Sequence, residues 1–310
     1  VSTGSPPPKY GGAVVGAGEG QPLTLPITLT DGLFVAAPVT EEGVALRLLV
    51  STTERALLSE AKAALVLGRP LDASATSLTL PKMAWDSYVP ESRGDDGRFL
   101  VAERAGVRGP RGLDGILGRG FFEDRTVTVD FAEGSVMLRE AGEAPFGTAY
   151  ERINLRRVEL DRVEEDAPPV YALTVALGGQ SFELVLDLAA RKVLSEAQAA
   201  LTGRPHAKPI GTCFLSAPTF DALRAAHPDW RAGPPEALDS EWMLEIPRVE
   251  VAGKSTGPAW FVRELEAAPA EDDEPPVGPR PVGRAGASCL SKLALTVDFR
   301  SGLAVVVAVR

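Results

Sequence analysis

Apolar and polar residues alternate over 23–38, and apolar residues run together over 44–50. These are the patterns of half-buried and fully buried strands. Residues 57–66 (LLSEAKAALV) break that rhythm and read as a short helix or turn with Ser59 as its N-cap. Strands are predicted again at 78–85 and 98–103, joined by a loop through Gly94-Asp-Asp-Gly97. Ile116-Leu117-Gly118, a helical turn at 120–124 and a hairpin 126–131/135–139 turning at Glu133-Gly134 complete the series. After a junction over 140–169 the order restarts, with a strand at 171–177, a turn at Gly178-Gly179 and a strand at 182–186. Many short strands with few helices predict an all-β architecture.

The second half of the chain copies the first. Residues 46–65 and 182–201 are identical at nine of twenty positions with an offset of 136, the core of the match being LSEA at 58–61 and 194–197. Leu78-Thr-Leu-Pro81 matches Leu244-Glu-Ile-Pro247 at an offset of 166. GRGFFEDRTVTVDF (118–131) matches GASCLSKLALTVDF (286–299) at 168. A self-match on this scale marks two copies of one structural unit. The offsets put almost all the extra length of the second copy in 202–243, which contains a helical stretch from Pro218 to His227. The chain therefore divides into a flexible segment 1–21, an N-terminal lobe 22–145, a linker 146–169 with an acidic Pro-containing break, and a C-terminal lobe 170–310 carrying the insertion 202–243.

Composition narrows the function classes. The chain has 310 residues, 45% of them apolar, and a formal net charge of −10, which argues against a nucleic-acid partner because that would need a basic patch. No apolar run reaches the ~18 residues of a membrane-spanning helix. Cys213 and Cys289 are too few for a disulfide framework and read as buried thiols, with a pair in an oxidising compartment as the alternative. His206 and His227 lack metal-ligand spacing, so neither a metal nor a cofactor is expected. The compartment stays open between cytoplasm and cell envelope, with cytoplasm favoured.

A strand leading into a tripeptide and then a hydrophobic-Leu-Ser turn resembles the retroviral and pepsin-type aspartic proteases. So does Asp114-Gly-Ile-Leu-Gly118, followed by Phe-Phe and a Thr-Val-Asp-Phe hairpin. The resemblance covers about 22–140 and 170–310 and implies a bilobal pepsin-like fold made of two retropepsin-like repeats. In that family each lobe gives one aspartate from an Asp-Thr-Gly loop, and the groove between lobes holds an extended peptide. Here the corresponding tripeptides are Ser51-Thr52-Thr53 and Asp187-Leu188-Ala189. The chemistry needs two carboxylates that share one proton, one acting as base on a water and the other as acid. A serine hydroxyl is no base near neutral pH. Both tripeptides lack the glycine, and the second also lacks the hydroxyl residue.

The resemblance thus implies no catalytic residue and an inactive, protease-like protein. The expected ligand is an extended peptide or a partner protein, such as a precursor or leader peptide presented to modifying enzymes. The alternative is a divergent aspartic endopeptidase that uses Asp187 with a non-standard partner, Glu54 being the nearest acid. The candidate peptide-binding residues are the six tripeptide positions with Phe214, Phe220 and Trp230, the last three because 202–243 is expected to form a lid or docking surface. That lid is also expected to be removable (204–241) with both lobes still folded. Asp130 and Asp298 are read as turn or strand-end acids, and Trp85, Tyr88, Trp242, Trp260 and, as the alternative to a lid role, Trp230 as core or strand-pair aromatics. With both lobes in one chain, a monomer or a hetero-complex is expected.

Overall fold

The computed structural model describes residues 23–309 except 81, 85–88, 90–96, 105–108, 111, 141–151, 159–168, 207, 234–241 and 265–279. The segment 1–21, the loop residues 94–96, Trp85, Tyr88 and the acidic stretch 271–274 lie outside the described residues.

Lobe one runs β1 (Leu23–Thr24), β2 (Ile27–Thr30), β3 (Leu33–Ala36), β4 (Leu48–Val50), β5 (Leu57–Leu58), α1 (Glu60–Leu67), β6 (Ser77–Thr79), β7 (Arg98–Val101), β8 (Gly115–Leu117), β9 (Arg125–Asp130) and β10 (Ser135–Glu140). Lobe two runs β11 (Arg152–Asn154), β12 (Arg156–Val158), β13 (Val170–Leu177), β14 (Gln180–Leu186), β15 (Arg191–Val193), α2 (Glu196–Thr202), β16 (Pro209–Gly211), β17 (Cys213–Ser216) and α3 (Ala217–Ala226). It continues through β18 (Ala232–Gly233), β19 (Met243–Val251), β20 (Lys254–Glu264), β21 (Gly283–Ala285), β22 (Leu293–Asp298) and β23 (Leu303–Ala308). The protein is all-β in class, as the alternation predicts.

Each lobe has its own sheet. Lobe one orders its strands β2-β3-β4-β8-β5-β7-β6, and lobe two β12-β13-β14-β21-β17-β20-β19-β18. The sheets correspond over seven strands, and β18 is an eighth in lobe two. β4 lies parallel to β8 as β14 does to β21. β5 and β17 each run antiparallel to that strand and parallel to the next, β7 or β20. A third sheet, β1-β10-β9-β22-β23-β11, joins the lobes through the antiparallel pair β9–β22. One continuous core of buried apolar residues includes Phe34, Phe121, Phe122 and Phe131 from lobe one and Phe220, Phe261 and Leu295 from lobe two.

The register corrects the placement of the insertion. Leu57 and Leu58 face Ile116 and Gly115, and Phe214 and Leu215 face Arg284 and Gly283. The equivalent of Leu58 is therefore Leu215 (215 − 58 = 157), and Ser59, the N-cap of α1, corresponds to Ser216, the N-cap of α3. The helix whose sequence matches α1, namely α2, occupies no equivalent place. The offset thus rises from 136 at Asp187 to 157 at β17, so 21 extra residues (157 − 136) lie in the β15–α2–β16 segment. The second lobe does carry a helical insertion, but it begins directly after the second tripeptide and not at 202. Residues 213–226 belong to the common unit, and β17 sits inside the eight-stranded sheet between β21 and β20. Deleting 204–241 would remove that internal strand, so the expectation that both lobes survive the deletion does not hold.

The helices look alike because their ends obey one local rule. The first turn of any helix leaves backbone N–H groups without intrahelical acceptors, and a serine side chain satisfies one of them. Ser59 accepts from the Lys62 N–H and Ser195 from the Gln198 N–H, the latter in a full capping box with the Gln198 side chain. The stretch expected to be linker also holds structure. β11 and β12 lie inside 146–169, β11 pairing with β23 and β12 with β13. Their short arginine-rich strings show no long alternation to announce them.

Candidate functional site

The two tripeptides begin where β4 and β14 end. The Ser51 N–H donates to the Leu117 carbonyl at 2.9 Å and the Asp187 N–H to that of Ala285 at 3.0 Å, equivalent bonds in the two copies. Both loops are thereby pinned to the strands behind them, and they meet between the lobes. The Thr52 hydroxyl donates to the Leu186 carbonyl at 2.6 Å and accepts from the Leu188 N–H at 3.3 Å. Leu188 stands where a second hydroxyl would return that bond, so the tie between loops is one-sided. Neither loop carries left-handed strain: among the described residues the non-glycine positions with positive φ are Asp31, Asp124 and Ala252, and not Thr53 or Ala189.

The functional groups in these loops are already engaged. Ser51 Oγ accepts from the backbone N–H of Glu54 at 2.9 Å and of Thr53 at 3.3 Å, a local turn that takes up the serine oxygen. Asp187 is 2% exposed. Its Oδ1 accepts from Thr53 Oγ1 at 3.1 Å and from the Ala189 N–H at 3.0 Å. Its Oδ2 faces Arg284 Nη1 at 3.3 Å. Arg284 also reaches Glu264 through Nη2 at 2.7 Å, and its guanidinium lies over the Phe214 ring at 4.2 Å.

A buried carboxylate requires a compensating charge and hydrogen bonds. In an aspartic dyad a second carboxyl group supplies a shared proton. Here the ionisable partner of Asp187 is a guanidinium, which stays protonated at any working pH and takes no proton from water. Glu54, the other candidate acid, is bonded across the lobes to Arg191 Nη1 at 2.7 Å, and the same nitrogen donates to the Ala189 carbonyl at 3.1 Å.

Neither arginine was singled out from sequence, although one left a readable mark. At offset 168 Arg284 is opposite Ile116, which is wholly buried in lobe one. A charge in one copy where the other packs an isoleucine signals a changed environment.

The remaining candidates separate. Phe214 joins the site by carrying Arg284. Phe220 is on the buried face of α3 and has no free surface. Trp230 stacks on His227 with ring centroids 3.9 Å apart, against the β13–β14 turn at Gly178. Trp260 is buried, and Trp242 lies under the Arg224 guanidinium at 3.8 Å. Asp130 and Asp298 cap equivalent hairpin turns, accepting from the N–H groups of Ala132 and Glu133 and of Arg300 and Ser301. Cys213 and Cys289 are free and buried. Both thiols point at the Gly286 carbonyl, at 3.8 and 3.3 Å. The hydrogen-bond contact of Cys289 with Cys213, in which the Cys289 S–H is the donor, together with burial pushes the Cys289 thiol well above the usual thiol range. Among the described residues no cluster of His, Cys, Asp and Glu could hold a metal ion, and no helix is long and apolar enough to cross a membrane.

No protein-family model and no curated protein matches the chain. Solved structures do. An aspartic proteinase from Irpex lacteus aligns over 93% of this chain and 98% of its own at 10% identity, with a TM-score of 0.51. The fold is pepsin-like. Conglutin gamma, a basic 7S globulin from lupine seeds, aligns over 92% of this chain and 94% of its own at 10% identity, with a TM-score of 0.46. The basic 7S globulin from soybean covers the same shares at 9% identity, with a TM-score of 0.44.

Proposed function

We propose that this pepsin-like protein is catalytically inactive and works by holding an extended peptide or a protein partner between its lobes, for instance a precursor peptide offered to a modifying enzyme. One observation carries the reading: the single tripeptide carboxylate, Asp187, is bonded to Arg284. A positioned general acid or base contributes typically ~10²–10⁴-fold to a rate, and the two members of a dyad act as one unit. An alcohol at position 51 and a salt-bridged acid at 187 supply neither half of that exchange. Peptide capture in an extended form relies on main-chain hydrogen bonds and side-chain pockets and needs no carboxylate pair.

The test has two arms. The purified protein, incubated with denatured casein between pH 3 and 7, is expected to leave it intact. A Ser51→Asp/Arg284→Ile double variant, which gives the site a second carboxylate and frees Asp187, is the form in which pepstatin-sensitive cleavage is expected to emerge. Cleavage by the unaltered protein that disappears in Asp187→Ala would overturn the reading in favour of an endopeptidase. In the binding arm, the protein is titrated with the peptides of a casein digest, and uniform absence of binding counts against peptide capture.

A further inference from the structure

We infer that the β15–α2–β16 insert is a clasp that holds the groove shut, and that the floor between the tripeptides becomes reachable only when the clasp releases lobe one. The insert belongs to lobe two alone, yet three of its residues grip lobe one. The Gly211 N–H donates to the Asp31 carbonyl at 2.8 Å. Lys208 Nζ meets Asp31 Oδ2 at 2.7 Å. Arg191 Nη1 meets Glu54 Oε1 at 2.7 Å, and Arg191 is paired with Gly211 across β15–β16.

The backbones touch with no side chain between them. A Cβ placed on Gly211 would stand 1.9 Å from the Gly32 carbonyl oxygen, and Gly32 has a φ of +77°. The insert is anchored beside the second tripeptide as well, because Arg191 donates to the Ala189 carbonyl. Next to it, Ser51, Thr52, Asp187, Leu188 and Ala189 are each 4% exposed or less, and Thr53 is half-buried.

The clasp is polar and partly solvated. Side-chain exposures in its ion pairs run from 25% at Asp31 and Arg191 to 54% at Lys208. Pairs of this kind are weak singly and weaken further in salt. Their release is a local opening that needs no unfolding of either lobe. The gating rests on reading the groove as the binding site. Its test uses no ligand, so a failed peptide titration and an absent gate remain distinguishable.

The probe is Ser51→Cys labelled with 5,5′-dithiobis(2-nitrobenzoate), the native Cys213 and Cys289 being buried. In the single variant labelling is expected to be slow and to accelerate as sodium chloride is raised to about 1 M, where screening reaches ~3 Å. Adding Asp31→Ala and Arg191→Ala removes both ion pairs and is expected to raise the labelling rate about tenfold, the ratio that two exposed pairs of ordinary strength yield. Equal rates in two folded proteins, checked by circular dichroism, overturn the inference, as does labelling of the single variant at the rate of a free cysteine. If the multiple variant does not fold, the salt series on Ser51→Cys decides alone, and a flat series rejects the clasp.

Discussion

Thr128 and Thr296 face each other across the junction of the lobes, and each is the repeat equivalent of the other. They are register partners in β9 and β22, stand 168 residues apart, and their hydroxyl oxygens lie 2.9 Å apart. The offset of this pair equals that of the flanking sequence match, so a local two-fold axis relating the copies passes between the two threonines. Arg139 Nη1 adds a donor to Thr128 Oγ1 at 3.0 Å. Each of Thr128→Val and Thr296→Val is expected to lower stability by about 1 kcal/mol, the ordinary net worth of one hydrogen bond. The double variant should lose less than the two losses added, because both remove the same hydroxyl contact. Urea unfolding of the three variants measures this, and strict additivity would contradict a shared bond.

Removing the partner of Asp187 should hurt more than removing both. Arg284→Met strands a carboxylate that is almost fully buried, with a loss of about 1–3 kcal/mol. That is below the range for a fully buried pair because 35% of the arginine side chain is in solvent. Asp187→Asn in the Arg284→Met background should recover part of it. A double-mutant cycle by denaturant unfolding checks the sign, and a coupling near zero would mean that the contact contributes nothing.

The Asp221–Arg263 pair, 2.8 Å apart, gives a pH-dependent prediction. The hydrogen bond from Arg263 holds the Asp221 carboxyl below its usual value. A carboxyl lowered in the folded state adds stability above its unfolded pKa, and that stability fades as the pH falls through the folded value. The stability gap between the parent and Asp221→Asn should be fully present above about pH 5, given an ordinary aspartate pKa near 3.9, and should close at lower pH. Thermal melts across that window read it, and a gap that widens on acidification would refute the assignment. The gap should be small, because half of Asp221 is in solvent.

The two thiols should be silent in the native protein. Cys213 and Cys289 are completely buried, and the Cys289 thiol is held in its protonated form by the hydrogen bond it gives to Cys213 and by burial. A thiol count with the same disulfide reagent should give none under native conditions and two in urea. One reactive thiol in the folded state would contradict the packing.

Much of the fold could be read from residues. Asp114 to Gly118, the Phe-Phe turn and the paired Thr-Val-Asp-Phe hairpins put both lobes and their order in view, because strand alternation and close-packed turns leave strong sequence marks. The insertion was misplaced for a physical reason. Ser59 with α1 and Ser195 with α2 share a string because both must cap a short helix, and capping is indifferent to where a helix sits. Only strand register, with Leu58 and Leu215 facing Gly115 and Gly283, separates equivalence from likeness. Ser51 and Asp187 were legible as equivalent loop positions of the two copies. Arg191 and Arg284 were not, because an ion pair between residues distant in sequence has no local pattern. The charge at the site of Ile116 was its one trace.

The sheet that spans both lobes has a consequence for any attempt to halve the molecule. Cutting the chain within 141–151 would bare the β9 margin on one fragment and the β22 margin on the other, each a row of unpaired amides shaped for its lost neighbour. Co-expressed pieces should therefore reassociate into the parent form. A piece made alone should instead seek a second copy of itself and form a symmetric pair.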